Sequence, residues 1–121
     1  MNKPILYGIK NCDTVKRARA WLDEHGVAYD FHDYKAAGVP ADRLAAWVKS
    51  QGWEVLVNRK GTTWRKLPED VKASVVDAPS AISLMIDQAS VIKRPVVEWS
   101  GGELTVGFDD AAFAAASAAS D

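Results

Sequence analysis

Cys12 is the only cysteine of the 121-residue chain, and it falls where a short apolar run, Pro4-Ile5-Leu6-Tyr7-Gly8, gives way to a helical pattern beginning near Asp13. A thiol at a helix N-terminus sits among backbone N–H groups with no intrahelical partner and at the positive end of the macrodipole. Both favour thiolate over thiol. Lys10 and Lys16 add positive charge nearby in sequence, and Asn11 can hydrogen-bond. Lone cysteines are more often packed as small hydrophobes, but Lys10, Asn11, Asp13 and Thr14 are polar, which marks a loop mouth rather than a core position. Asp13 opposes ionisation of the thiol and is better suited to capping the helix. The chemistry on offer is that of one nucleophilic sulfur: attack on a disulfide, sulfenate or oxyanion, giving a covalent adduct that an outside thiol must resolve.

Lys plus Arg number 15 against 16 Asp plus Glu, a formal net charge of −1, so there is no global electrostatic case for binding nucleic acid. The positive residues nonetheless cluster as Lys10, Lys16, Arg17 and Arg19, then Arg59, Lys60, Arg65 and Lys66, then Lys93 and Arg94. Such clusters are commonly solvated faces; convergence of Arg59 and Arg94 on the thiol would instead make an anionic-ligand site. His25 and His32 lack metal-ligand spacing and are expected to be surface or structural residues, so no metal is expected. Trp21, Trp47, Trp53, Trp64 and Trp99 read as core or interface anchors. Trp64 lies in the basic segment Thr63-Trp64-Arg65-Lys66 and is a candidate for the rim of the site.

These residues need a scaffold, and residues 1–121 are enough for one domain with a core that requires no disulfide or metal. One cysteine forms no internal bridge, no apolar h-region follows Met1-Asn2-Lys3, and no run approaches membrane-spanning length. A reducing, cytoplasmic setting without membrane association is expected. The run over residues 4–8 reads as a buried strand, and residues 13–25 as a helix with Val15, Ala18, Trp21 and Leu22 on one face and Gly26 as its stop. Alternation of Val27, Tyr29 and Phe31 with Ala28, Asp30 and His32 predicts a strand over 27–34, completing a right-handed βαβ unit with parallel strands.

Gly38-Val39-Pro40 then breaks the chain, and residues 36–91 read as a helical block. It holds a helix over 41–51, an apolar run over 53–57 that suits a short helix or a strand, a polar stretch, a helix from Pro68 to about 74 and another over 81–88. Strands over 95–99 and 103–108, joined by Ser100-Gly101-Gly102, precede an alanine-rich helix over 109–117 anchored by Phe113. The expected fold is α/β: βαβ, an all-helical insertion over 36–91, then ββα around a mixed four-stranded sheet, a thioredoxin-type order.

Four strings along the chain resemble the ArsC/Spx-related family, in particular its YffB-type branch. They are Tyr7-Gly8-Ile9-Lys10-Asn11-Cys12-Asp13-Thr14; Asn58-Arg59-Lys60-Gly61-Thr62-Thr63-Trp64-Arg65-Lys66-Leu67; Ile92-Lys93-Arg94-Pro95-Val96; and Val106-Gly107-Phe108. The resemblance implies a thioredoxin-like fold and a glutathione-dependent thiol reductase activity. By the same resemblance Cys12 matches the cysteine that attacks the oxyanion in the family's arsenate reductases, and Arg59 and Arg94 match two arginines that position the anion and stabilise the thiolate. Pro95 is expected in cis, presenting the backbone of Arg94 to a substrate. Base rates for X–Pro bonds alone would make it trans.

Glutathione is the expected co-substrate, with Lys10, Asn11, Arg59, Arg94 and Pro95 as its candidate contacts. It carries two carboxylates, which arginine forks bind bidentately. No bound cofactor is expected; the candidate partners are glutathione, glutaredoxin and a small oxyanion or disulfide substrate, and the chain is expected to be a monomer. The sequence departs from the family's arsenate reductases in two places. A third arginine expected in the last hairpin is absent from Leu104-Thr105-Val106-Gly107-Phe108, and Gly8 stands near the place of a histidine, so efficient arsenate reduction is not expected. The family's transcription regulators, which bind RNA polymerase, carry a Cys-x-x-Cys switch; here the fourth position is Val15, which excludes an intramolecular disulfide switch but not docking on polymerase.

Overall fold

A computed structural model describes residues 3–119, and the chain divides into two compact units: residues up to Ala37 together with those from Arg94 onward, and Gly38–Lys93. In the first unit, β1 (Ile5–Gly8) pairs in parallel with β2 (Asp30–Asp33) across α1 (Asp13–Glu24). β3 (Val96–Glu98) lies antiparallel to β1, and β4 (Leu104–Val106) antiparallel to β3, giving the mixed four-stranded sheet β2-β1-β3-β4 expected of a thioredoxin-like chain. The chain leaves β4 into α8 (Asp110–Ala119), whose start is capped where Asp109 Oδ2 accepts from the Ala112 N–H at 3.0 Å.

Strand alternation divides the sheet into two chemically different faces. Leu6 and Val97 are register partners, both fully buried, and join Val15, Ala18, Trp21 and Leu22 of α1 and Phe113 of α8 in one core. Phe113 is gripped edge-on by Trp21, Trp99 and Phe108 at centroid distances of 5.5, 5.1 and 4.9 Å, the geometry aromatic quadrupoles prefer. Tyr7 and its β2 partner His32 lie on the other face with Glu98, two residues along β3 from Val96, the β3 partner of Tyr7.

The second unit is helical: α3 (Ala41–Gln51), α4 (Trp53–Leu56), α5 (Thr62–Arg65), α6 (Glu69–Ala73), α7 (Ala78–Asp87) and a 3-10 turn at Ala89–Val91. α3, α4 and α7 pack on one another and bury Leu44, Trp47, Leu56, Ala81 and Met85. α7 starts three residues earlier than its apolar pattern suggests. Asp77 and Ser80 form a reciprocal capping box, and Pro79 sits in the first turn, where a missing N–H costs nothing.

Two other expectations need correction. The strand over 27–34 shrinks to Asp30–Asp33, because Val27 N–H is taken by the Leu22 carbonyl at 2.9 Å as α1 closes, and Tyr34 instead opens the short α2 (Tyr34–Ala37). The run over 53–57, open between a short helix and a strand in the sequence, forms the short helix α4. Asp13 is the first residue inside α1; the cap position belongs to Cys12 itself.

Candidate active site

Cys12 caps α1 in an extended conformation (φ −129°, ψ 125°), and its carbonyl accepts the first helical bond from Lys16 N–H at 2.9 Å. The neutral thiol makes no capping hydrogen bond; the groups around it act on its anion. Partial burial pushes the thiol pKa up, but the Val15 N–H, a hydrogen bond and the positive charge from the Arg94 guanidinium, and the Thr14 N–H together hold it below its ordinary value. Sheet topology makes this meeting possible. β3 runs antiparallel to β1, so the start of β3, where Arg94 and Pro95 stand, lies beside the end of β1, where the cysteine loop leaves. The Arg94–Pro95 peptide bond is cis, and the Pro95 carbonyl accepts from Gly107 N–H at 2.8 Å, tying this turn to the end of β4.

The loop between β1 and α1 is closely fitted. A Cβ built on Gly8 would meet Val15 Cγ2 at 2.8 Å, and Val15 is fully buried and stiff at χ1. A histidine near this position would have to displace the residue whose N–H faces the sulfur, which is a physical reason for glycine here.

Of the residues singled out in the sequence, Cys12, Arg94 and Pro95 come together in the first unit. Lys10 and Asn11 lie in the exposed turn before Cys12. Arg59 belongs to the second unit, in a turn closed by Gly61 N–H to the Asn58 carbonyl at 3.2 Å, with its guanidinium 5.7 Å from the Trp53 ring centroid. Trp64 is half-buried in α5 of the same unit. Arg19 serves structure: Nε donates to Tyr29 Oη at 2.8 Å, and the guanidinium lies 4.3 Å from the Phe31 centroid. His25 stacks on Trp21 at 3.8 Å with Nδ1 2.8 Å from the Trp21 carbonyl, a structural role. Among the described residues no cluster of three His, Cys, Asp or Glu has the spacing to hold a metal, and no helix is long and apolar enough to cross a membrane.

Sequence reasoning passed over a polar group on the sheet face away from the main core. Tyr7 Oη donates to Glu98 Oε1 at 2.9 Å, and the Tyr7 ring lies 5.1 Å from His32 and 6.5 Å from Tyr34. The available signal was a tyrosine inside a strand otherwise read as wholly apolar, since a buried phenol ordinarily requires a partner.

Residues 7–116 match the model of the ArsC family. An uncharacterized protein of Haemophilus influenzae is 42% identical over 92% of this chain and 96% of its own length. A solved structure described as a YFFB protein is 56% identical and superposes with a TM-score of 0.88, covering 94% of this chain and 98% of that one. Another, described as an arsenate reductase (ArsC) related protein from Brucella melitensis, is 54% identical with a TM-score of 0.73, covering 94% and 93%. At greater distance, a global transcriptional regulator Spx of Streptococcus mutans is 22% identical over 87% of this chain and 76% of its own.

Proposed function

The chain belongs to the ArsC family, and from that premise we propose that it is a glutathione-dependent thiol–disulfide reductase working through one activated cysteine, Cys12. The observation that carries this reading is the placement of Cys12 at the N-cap of α1 beside Arg94 and the cis Pro95 at the start of β3, an arrangement that favours the thiolate despite burial. Only the thiolate attacks a disulfide.

In the forward step the Cys12 thiolate attacks the glutathione sulfur of a mixed disulfide. The Cys12–glutathione bond forms, the substrate S–S bond breaks, and the substrate leaves as a thiolate that takes a proton from solvent. A second glutathione thiolate then attacks the glutathione sulfur of the adduct, releasing glutathione disulfide and restoring the Cys12 thiolate. Two electrons pass from glutathione to the substrate, and no second protein cysteine is needed. Arg94, already beside the sulfur, is the group best suited to neutralise the attacking anion and to hold a glutathione carboxylate.

Incubation with oxidised glutathione is expected to add one glutathione mass to the wild-type protein and none to Cys12→Ser. An unmodified wild type, or equal modification of the variant, ends the proposal. Glutaredoxin-coupled arsenate reduction is favoured by the Brucella relative's description and opposed by the missing arginine in Leu104–Val106 and beyond; turnover in a coupled assay would restore it. The Spx relatives favour a docking role on a protein partner. A stoichiometric partner recovered equally by wild type and Cys12→Ser would move the assignment there.

A further inference from the structure

Three connections of the first unit meet at one end of its sheet. β2 runs parallel to β1, so both end there, and the antiparallel β3 begins there. Cys12 follows the end of β1, Arg94 precedes β3, and Tyr34 comes directly after Asp33, the last residue of β2. The space beyond the carboxyl ends of parallel strands is where open α/β sheets bind ligands.

Tyr34 is only 3% exposed. Its ring is pinned from two sides, by Tyr7 at 6.5 Å and edge-on by His32 at 6.0 Å. Its hydroxyl has no hydrogen-bond partner among the described residues. The neighbouring phenol is in the opposite condition, since Tyr7 Oη is bonded to Glu98. Buried hydroxyls are ordinarily satisfied, and an exception calls for an explanation. Burial, with Tyr7 and Glu98 beside it, pushes the Tyr34 pKa far above its ordinary range while the charge of Arg94 opposes the rise, so the group remains an O–H donor and lies within the field of Arg94.

We propose that Tyr34 Oη is a ligand-contacting donor of the Cys12 site, donating a hydrogen bond to the anionic group that Arg94 holds beside the sulfur. The inference deepens the reductase reading and rests on it for the identity of the natural ligand; the anion is a glutathione carboxylate or a small oxyanion. A phenol fixed by stacking loses little freedom on making such a bond. It supplies a neutral donor where a second cation would have to be desolvated.

The test is Tyr34→Phe, which keeps the stacked ring and removes only the hydroxyl. Two quantities are compared with wild type: the rate of Cys12 modification by oxidised glutathione, and the protection of Cys12 from iodoacetamide by sodium sulfate. Losing one hydrogen bond to an anion is expected to weaken either quantity about ten-fold, while the melting temperature stays at or above that of wild type because a buried unsatisfied group has gone. Loss confined to glutathione identifies a carboxylate ligand; loss confined to sulfate identifies an oxyanion; both support the proposal. Unchanged values for both overturn it. So does a rise in the pH midpoint of Cys12 alkylation in Tyr34→Phe, since the hydroxyl would then be acting through Arg94 rather than on the ligand. A wild type that takes up no glutathione, yet is protected by sulfate in a Tyr34-dependent way, ends the reductase reading and leaves the role of the hydroxyl intact; one that shows neither response ends both.

Discussion

In the first unit, three strands far apart in sequence set Tyr7, His32 and Glu98 side by side on one sheet face, whereas in Gly38–Lys93 the buried side chains are apolar and Arg59, Lys60, Arg65 and Lys66 all stand exposed. The contrast follows from how each architecture brings groups together. Strand pairing holds side chains from distant positions about 5 Å apart in a fixed register, so a polar group can be buried with its partner already in place. The helices of the second unit meet through apolar faces, and their charges are left to water. Chemistry that needs a buried, pre-arranged polar group therefore belongs to the sheet unit, where Cys12 and Arg94 are found.

The largest expected effect tests whether the sheet unit is also the more tightly fitted of the two. Phe113→Ala removes a ring gripped by three aromatic edges and is expected to cost about 3–5 kcal/mol, read as a lower urea midpoint at unchanged slope. Met85→Ala, at an equally buried position of the second unit, is expected to cost nearer to about 2 kcal/mol, because a flexible thioether fills space that neighbours can partly reclaim. Equal losses would erase the contrast in packing and leave only the contrast in polarity.

The smaller predictions concern the cysteine loop, and they bear on what the sequence could reveal. The strand, turn and helix around Cys12 are legible because each has a local cause: an apolar run, a polar turn and a 3.6-residue apolar stripe. The pairing of Arg94 with Cys12 is not local, and only the resemblance pointed to it. Tyr34 was hidden for another reason. The alternation from Val27 onward reads smoothly through it as a strand, and nothing in the pattern shows that Val27 is taken by the end of α1 and that Tyr34 starts a new helix. Asp13 looked like a cap because its type suits one, yet the cap position is set by where the extended backbone ends, at Cys12.

Gly8→Ala probes the close approach of β1 to α1. The added methyl would lie 2.8 Å from Val15 Cγ2, so the helix start must shift, at an expected cost of about 1–3 kcal/mol by denaturant unfolding. Because the Val15 N–H faces the sulfur, the same variant is expected to raise the pH midpoint of Cys12 alkylation. In a Val15→Ala background the second substitution should cost much less, a coupling that a double-mutant cycle measures directly. Additive losses would mean that the contact at Gly8 is not what holds the loop.

The smallest effect separates the two arginines that the sequence places in the same role. Arg94 donates to the Cys12 sulfur and favours its anion; removing it lets burial dominate, so the thiol pKa rises. The sign in an alkylation profile is fixed. Iodoacetamide reacts with the thiolate, so a lowered pKa keeps wild type reactive to lower pH, and Arg94→Ala moves the midpoint upward. One unit of upward shift means about ten-fold less thiolate at any pH below both midpoints. The sulfur left behind is intrinsically more nucleophilic as its pKa rises, so the midpoint and not the raw rate is the quantity to compare. Arg94→Lys, which keeps the charge but not the planar fork, is expected to fall between wild type and alanine. Arg59 is exposed, with its cation over the Trp53 ring, and charge in contact with water is strongly screened. Arg59→Ala is therefore expected to leave the midpoint nearly unmoved; a rise as large as that of Arg94→Ala would show that control of the thiol is shared by both units rather than held by the sheet alone.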